Sequence, residues 1–212
     1  MKMKKMILSG WLILLFAQIV CAQEKIEAPI WNVGDKWVFT QGMAIEVVNN
    51  TDENSYKAKF QNETLLFDKS TLNMVYPFQG QKRQTYRAPQ RRLFDFPFMI
   101  GKSWKDKYSA QLKWEDEYTS RSGGYSIVDE TQIFESYRVL GWEDVEVQAG
   151  KFKAIKIEYK RDWSSPNGGM REGKAWYWYS PEVRNLVKFQ YDKSQIWSRN
   201  NNWELVSFHV TN

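Results

Sequence analysis

Apolar and polar residues alternate with a period of two along much of this 212-residue chain. In Tyr56-Lys57-Ala58-Lys59-Phe60 the aromatic and small residues share one face and the lysines take the other. Tyr108, Ala110, Leu112 and Trp114 alternate with Ser109, Gln111, Lys113 and Glu115; Ile155, Ile157 and Tyr159 alternate with Lys156, Glu158 and Lys160. Successive strand side chains point to opposite faces, so each run predicts a strand with one dry and one wet face, the antiparallel pattern. Beyond residue 22 no segment carries a 3.6-residue apolar stripe of helical length.

Turn signals punctuate these runs: Gly34-Asp35, Asn49-Asn50, Gly101-Lys102, Gly123-Gly124, Ala149-Gly150, Pro166 to Gly169 and Ser180-Pro181. Val145 to Val147 and Phe152 to Tyr159 read as a hairpin whose Gly150 takes the position needing positive φ, and Lys174 to Tyr179 with Leu186 to Tyr191 as a second. The expectation is an all-β chain of roughly ten to twelve strands. Tyr86 to Pro97 is the least strand-like middle stretch, but Leu93, Phe94, Phe96 and Phe98 are too apolar for a tether, so it reads as a loop packed on the sheet. Val33 to Trp37 and Ile100 to Trp104 echo each other: an apolar residue, a glycine turn, then a Trp entering a strand.

The N-terminus changes where such a protein is expected to work. Lys2, Lys4 and Lys5 precede an apolar run from Met6 to Val20, and Val20-Cys21-Ala22 suits a cut after Ala22. This is the layout of a secretory signal peptide, shorter than the roughly 20 apolar residues of a spanning helix. Residues 23–212 then form one β domain, secreted or periplasmic, with no transmembrane segment after cleavage. An uncleaved anchor is a weaker alternative; so is lipidation at Cys21, because Val20 stands where that processing wants a small residue. The formal charge of +5 includes three leader lysines, so the mature chain keeps 5 less 3, or +2. That removes most of the case for nucleic acid. The single Cys leaves with the leader, taking disulfide, thiolate and Cys-metal chemistry with it.

Four ordered stretches then matter together: Trp31 to Trp37; Phe96 to Trp104; Val147 to Ile157; and Trp178 to Val183 followed by Leu186-Val187-Lys188. Together they resemble the TapB-like family of uncharacterised exported bacterial β proteins, a domain of unknown function. The resemblance implies a single curved, predominantly antiparallel sheet, open or half-barrel, with a concave face; it supplies no reaction and no catalytic residues. Lys151 departs from it, standing where the family favours a small hydroxyl residue.

Catalytic side chains are sparse. His209, the only histidine, lies near a chain end, a poor mount for the base of a triad. Glu115-Asp116-Glu117 and Trp142-Glu143-Asp144 could serve as paired carboxylates for glycan hydrolysis, but read more simply as a wet sheet face and turn. No catalytic, metal or cofactor site is expected. Asn49-Asn50-Thr51 and Asn62-Glu63-Thr64 match the glycosylation pattern by chance. Arg91 and Arg92, with Arg87, Lys82 and Arg83, form a basic rim that reads as a solvated loop or a contact for anionic groups.

Trp176-Tyr177-Trp178-Tyr179 is unusual because alternation puts aromatics on both faces of one strand. A sheet with one dry face needs only one pair, so the other must be covered. Packing of a disulfide-free core is the plain reading of the indoles; a lined cavity is the functional one. The lining candidates are Trp37, Trp104, Trp114, Trp176 and Trp178. The leading expectation is a non-enzymatic exported protein holding a lipid or other apolar or amphipathic molecule on that face. A module docking a cell-envelope protein is the alternative, and carboxylate-based hydrolysis a lesser one.

Overall fold

The computed structural model describes residues 24–50, 52–61, 63–75, 92–114, 126–165, 169–192 and 202–211. Among them it holds one short 3-10 turn, Thr40–Gly42, and eleven strands. These are β1 (Lys36–Phe39), β2 (Ala44–Asn49), β3 (Ser55–Phe60), β4 (Glu63–Asp68), β5 (Met74–Val75), β6 (Ser103–Trp114), β7 (Ser126–Val147), β8 (Gly150–Ser165), β9 (Gly169–Ser180), β10 (Asn185–Tyr191) and β11 (Trp203–His209). They form one antiparallel sheet in the order β5-β4-β3-β2-β1-β11-β10-β9-β8-β7-β6, open because β5 and β6 are its two edges.

The alternation read from the residues sets the faces. On β3, Tyr56 and Ala58 are buried and Lys57 and Lys59 exposed; on β8, Ile155, Ile157 and Tyr159 are buried while Lys160 is exposed. β7 and β8 form the first hairpin, closing at Val147↔Gly150 with Gly150 at φ 135°, and β9 and β10 form the second. The two glycine echoes are structural equivalents. Gly34 at φ 95° and Gly101 at φ 86° occupy a region closed to most side chains, and each delivers a Trp to the second position of β1 or β6.

Cross-strand neighbours stack into an aromatic row on the inner face: Trp104 lies 5.1 Å from Tyr137, Tyr137 5.1 Å from Tyr159, and Tyr159 5.7 Å from Tyr177. The segment at 92–98 crosses that face as a packed loop, burying Phe94 and Phe98 against Tyr179. Curvature is visible at the β7–β8 tip. Three strands separate β7 from β11 in the sheet order, yet Ala149 N donates to Leu205 O at 3.0 Å and Phe152 meets Phe208 edge-on at 5.7 Å. A bulge between Val139 and Gly141 lets this hairpin bend, and the adjacent Ala154 and Ile155 are both buried where the alternation slips.

β11 is inserted between β10 and β1, and it pairs with β10 only at Lys188↔Glu204 and Phe189↔Trp203. Indole donors strengthen this seam: Trp37 Nε1 donates to Val183 O at 2.7 Å and Trp31 Nε1 to Arg184 O at 2.9 Å. Asp35 is fully buried there and accepts from Asn32 N, Thr211 N and the Thr211 hydroxyl, with the Arg184 guanidinium 3.6 Å away. One carboxylate thus ties the entry of β1, the end of the chain and the β9–β10 turn.

Candidate functional site

The inner face is not packed solid. Where the β1–β5 half of the sheet meets β10 and β11, a cavity of about 220 Å³ remains. Phe39, Ile45, Phe60 and Phe67 line one side, Leu186 and Trp203 the other, and Leu93 and Phe94 of the crossing segment cover it. Trp31 forms the deep wall, fully buried against Trp37, Tyr56 and Phe67 at ring distances of 4.7, 5.5 and 5.4 Å. Met43, Ile45, Phe60, Met74, Leu93 and Trp203 are only partly buried, so they make an apolar mouth.

Two asparagines interrupt this lining. Asn73, in the β4–β5 connection, donates through Nδ2 to Phe94 O and accepts at Oδ1 from Phe94 N, both at 3.0 Å. It therefore clamps the covering segment by its backbone. Asn185, the first residue of β10, accepts at Oδ1 from Leu186 N at 2.8 Å, while its Nδ2 is buried without a partner.

The opposite face of β9 explains its double aromatic character. Tyr177 and Tyr179 point inward, and burial pushes the Tyr179 hydroxyl above its ordinary pKa, against a smaller pull from Arg184. Trp176 and Trp178 point outward and are roofed by lysines. Lys156 Nζ stands 5.5 and 5.1 Å from their ring centres, Lys174 5.3 Å from Trp176 and Lys188 5.3 Å from Trp178. The ammonium heads therefore lie over the ring faces at cation–π distance. Carboxylates complete the lattice: Glu143 accepts from Lys156 Nζ at 2.9 Å and Trp178 Nε1 at 2.8 Å, and Glu158 lies 2.7 Å from Lys174. Burial raises the Glu143 pKa, but these hydrogen bonds and the charges of Lys156 and Lys188 outweigh it, leaving the carboxyl below its usual range. Glu158 is also lowered, chiefly by its bond from Lys174.

Four of the five indoles named as lining candidates, Trp37, Trp104, Trp176 and Trp178, therefore do not converge. Trp37 and Trp104 are buried in the core, Trp104 donating through Nε1 to Arg92 O at 3.1 Å. Trp176 and Trp178 lie on the outer face, and Trp114 closes β6, paired with Ser126. Of the basic rim, Arg92 pairs with Asp95 at 3.7 Å and Asp106 at 3.6 Å, while Arg87 and Arg91 lie outside the described residues. The expected leader with Cys21, and Glu115-Asp116-Glu117, lie outside them too. His209 ends β11 on an exposed position. Of the pocket residues, Phe60 carried an ordinary strand signal, and nothing local marked it, Ile45 or Phe67 as lining a cavity. Asn185 fell in the connection of the second predicted hairpin, and no local pattern singled out Asn73.

One polar cluster interrupts the inner aromatic face. Glu135 is buried and accepts from the Tyr137 hydroxyl at 2.8 Å and the Tyr159 hydroxyl at 2.6 Å, with Arg161 Nε at 3.8 Å. Its cross-strand neighbour Asp106 accepts from Arg92 N at 2.7 Å. Both carboxylates are thus held by donors and cations, which is the condition for burying charge. Among the described residues no group of three or more His, Cys, Asp or Glu could hold a metal ion, and no helix is long and apolar enough to cross a membrane.

An open, all-antiparallel sheet with no helix among the described residues beyond one 3-10 turn defines the class: an all-β protein built on a single unclosed sheet. The chain belongs to the DUF3108-like family, whose profile matches residues 50–199. No curated protein matches it. Among solved structures it is similar to a candidate lipoprotein of Parabacteroides distasonis ATCC 8503, 14% identical over 88% of this chain and 100% of that one, with a TM-score of 0.49. A candidate exported protein of YmcC-like fold from Bacteroides fragilis NCTC 9343 is 12% identical over 87% and 99%, at 0.39. The hypothetical lipoprotein YmcC of Escherichia coli K12 is 11% identical over 87% and 91%, at 0.41.

Proposed function

We propose that this chain is an exported, non-enzymatic binding protein that holds the apolar part of a small molecule in the inner-face pocket. The narrower TapB-like assignment within its family, and cleavage of the leader after Ala22, belong to the same proposal. The observation that carries it is the apolar cavity of about 220 Å³ beside the aromatic core. An empty void of that size costs up to about 5 kcal/mol at roughly 24 cal/mol per Å³, an upper bound because this one has a mouth. The volume is below the roughly 300–1,000 Å³ of drug-sized sites, so it suits one ring or a short acyl segment rather than a whole lipid.

A larger depression of about 670 Å³, between residues 24–32 and the β9–β10 turn, is open and edged by Glu24, Lys25, Glu27 and Arg184. It supports an apolar ligand less well. Enclosure of Trp176 and Trp178 by the chain's own lysines weighs against a bare aromatic docking surface there, and the partnered state of Glu135 and Asp106 weighs against hydrolysis. The test is native mass spectrometry of protein purified from its own envelope, followed by denaturing extraction. A co-purifying apolar molecule is the expected result. Empty protein whose melting point also fails to move with single-chain amphiphiles would sink the reading.

A further inference from the structure

We infer that Asn185 is the polar anchor of this pocket, and that the molecule it takes carries a hydrogen-bond acceptor, a carbonyl-type oxygen, beside its apolar part. This rests on the binding reading above and narrows its ligand class.

Asn185 Oδ1 accepts from the next residue's N–H, Leu186 N, at 2.8 Å, which settles which end of the side chain is oxygen. The amino group is then on the other side, with two protons to donate. Nδ2 is shut off from water and meets no acceptor, although Asn185 as a whole is 6% exposed and lines the cavity. Buried donors without partners are rare in folded proteins, and each calls for an explanation. The other asparagine in the lining, Asn73, has the opposite condition: both ends of its amide are bonded to Phe94. Water is a poor partner here, since an ordered water needs two to four polar contacts and this lining is almost wholly apolar. A ligand oxygen needs only one. The broad terminal torsion of an asparagine lets the amide turn toward an occupant. Ser180, opposite Asn185 across the β9–β10 hairpin, has a buried hydroxyl without a partner as well. The competing account is that these two groups satisfy each other.

Two probes of nearly the same shape separate the possibilities: acetophenone, which has a C=O, and α-methylstyrene, which has a C=CH2 in its place. Affinities for the full mature chain are measured by titration of indole fluorescence, in the wild type and in Asn185→Leu. The anchor predicts that the ketone's advantage over the alkene falls about tenfold in the variant, the size of one hydrogen bond. In the wild type, the side-chain amide signals of Asn185 in a proton–nitrogen spectrum should shift with the ketone and stay still with the alkene. That second measurement decides the matter if Asn185→Leu does not fold. If both probes bind but the ratio and the amide signals are unmoved, the anchor is overturned and the pocket stands. If neither probe binds the wild type, the pocket reading itself fails.

Discussion

Asn73 satisfies both backbone polar groups of Phe94 in the segment that covers the pocket, and removing it should be costly. Asn73 is 3% exposed and Phe94 5% exposed, and the two hydrogen bonds between them, both 3.0 Å, satisfy the amide and the carbonyl of Phe94. Asn73→Ala leaves both backbone groups buried without partners. Each such group costs about 1–3 kcal/mol, and some of that is recovered if water enters through the pocket mouth. The expected loss is therefore about 3 kcal/mol, or roughly 6–12 °C in melting temperature for a domain of this length. Urea unfolding at constant slope measures the loss, and hydrogen exchange at the Phe94 amide locates it. Asn73→Asp is the informative companion: it keeps the acceptor for Phe94 N and loses the donor to Phe94 O, so Phe94 amide protection should survive better than in the alanine variant. A cost below about 1 kcal/mol with unchanged Phe94 exchange would show that the covering segment is held by its aromatic contacts with Tyr179 instead.

Other substitutions probe the seam, the outer lattice and the chain end. Asp35→Ala strips the acceptor from Asn32 and Thr211 and leaves Arg184 with carbonyl acceptors but no carboxylate, so calorimetry should show a loss of about 3 kcal/mol; a change under 1 kcal/mol counts against Asp35 as the tie. Trp37→Phe keeps most of the ring packing but orphans the buried Val183 carbonyl, and should cost about 1–3 kcal/mol in the same assay. Glu143 and Glu158 are held below their ordinary pKa in the folded chain, so the stability they contribute is present above the unfolded carboxyl value of about 4.3 and is lost as pH falls through the folded values. The double variant Glu143→Gln with Glu158→Gln should be less stable at neutral pH by about 1 kcal/mol, a small figure because these pairs are partly wet. It should also lose less stability than the wild type on acidification; an identical acid limb would contradict the lattice. His209→Gln should leave the melting point within about 0.5 kcal/mol of wild type, as expected of an exposed position at a strand end.

The two-sided aromatic strand shows how one local pattern admits two physical solutions. A strand with Trp on one face and Tyr on the other must cover both. Here the tyrosines meet the crossing segment and the inner core, while the indoles are covered by Lys156, Lys174 and Lys188 from neighbouring strand positions. Lys156 was visible as the wet half of an alternating pattern, but the role of the three lysines as a roof depends on cross-strand register: Trp178 opposes both Lys156 and Lys188.

What the chain's order of residues determined was local. Period-two alternation specified strands and their dry faces, as at Tyr56, Ala58, Ile155, Ile157 and Tyr159, because a strand's side chains alternate whatever it pairs with. Glycines and Ser180-Pro181 marked both hairpins, since turn geometry is a short-range property. Tertiary structure alone decided which dry faces meet. It inserted β11 between β1 and β10, bent the β7–β8 tip onto Leu205, buried Trp37 and Trp104, sent Trp176 and Trp178 outward, and left a hollow between Ile45, Phe67 and Leu186. A cavity is a deficit of packing among residues distant in sequence, and an unpartnered amide such as that of Asn185 is defined by what fails to reach it; neither leaves a periodic trace along the chain.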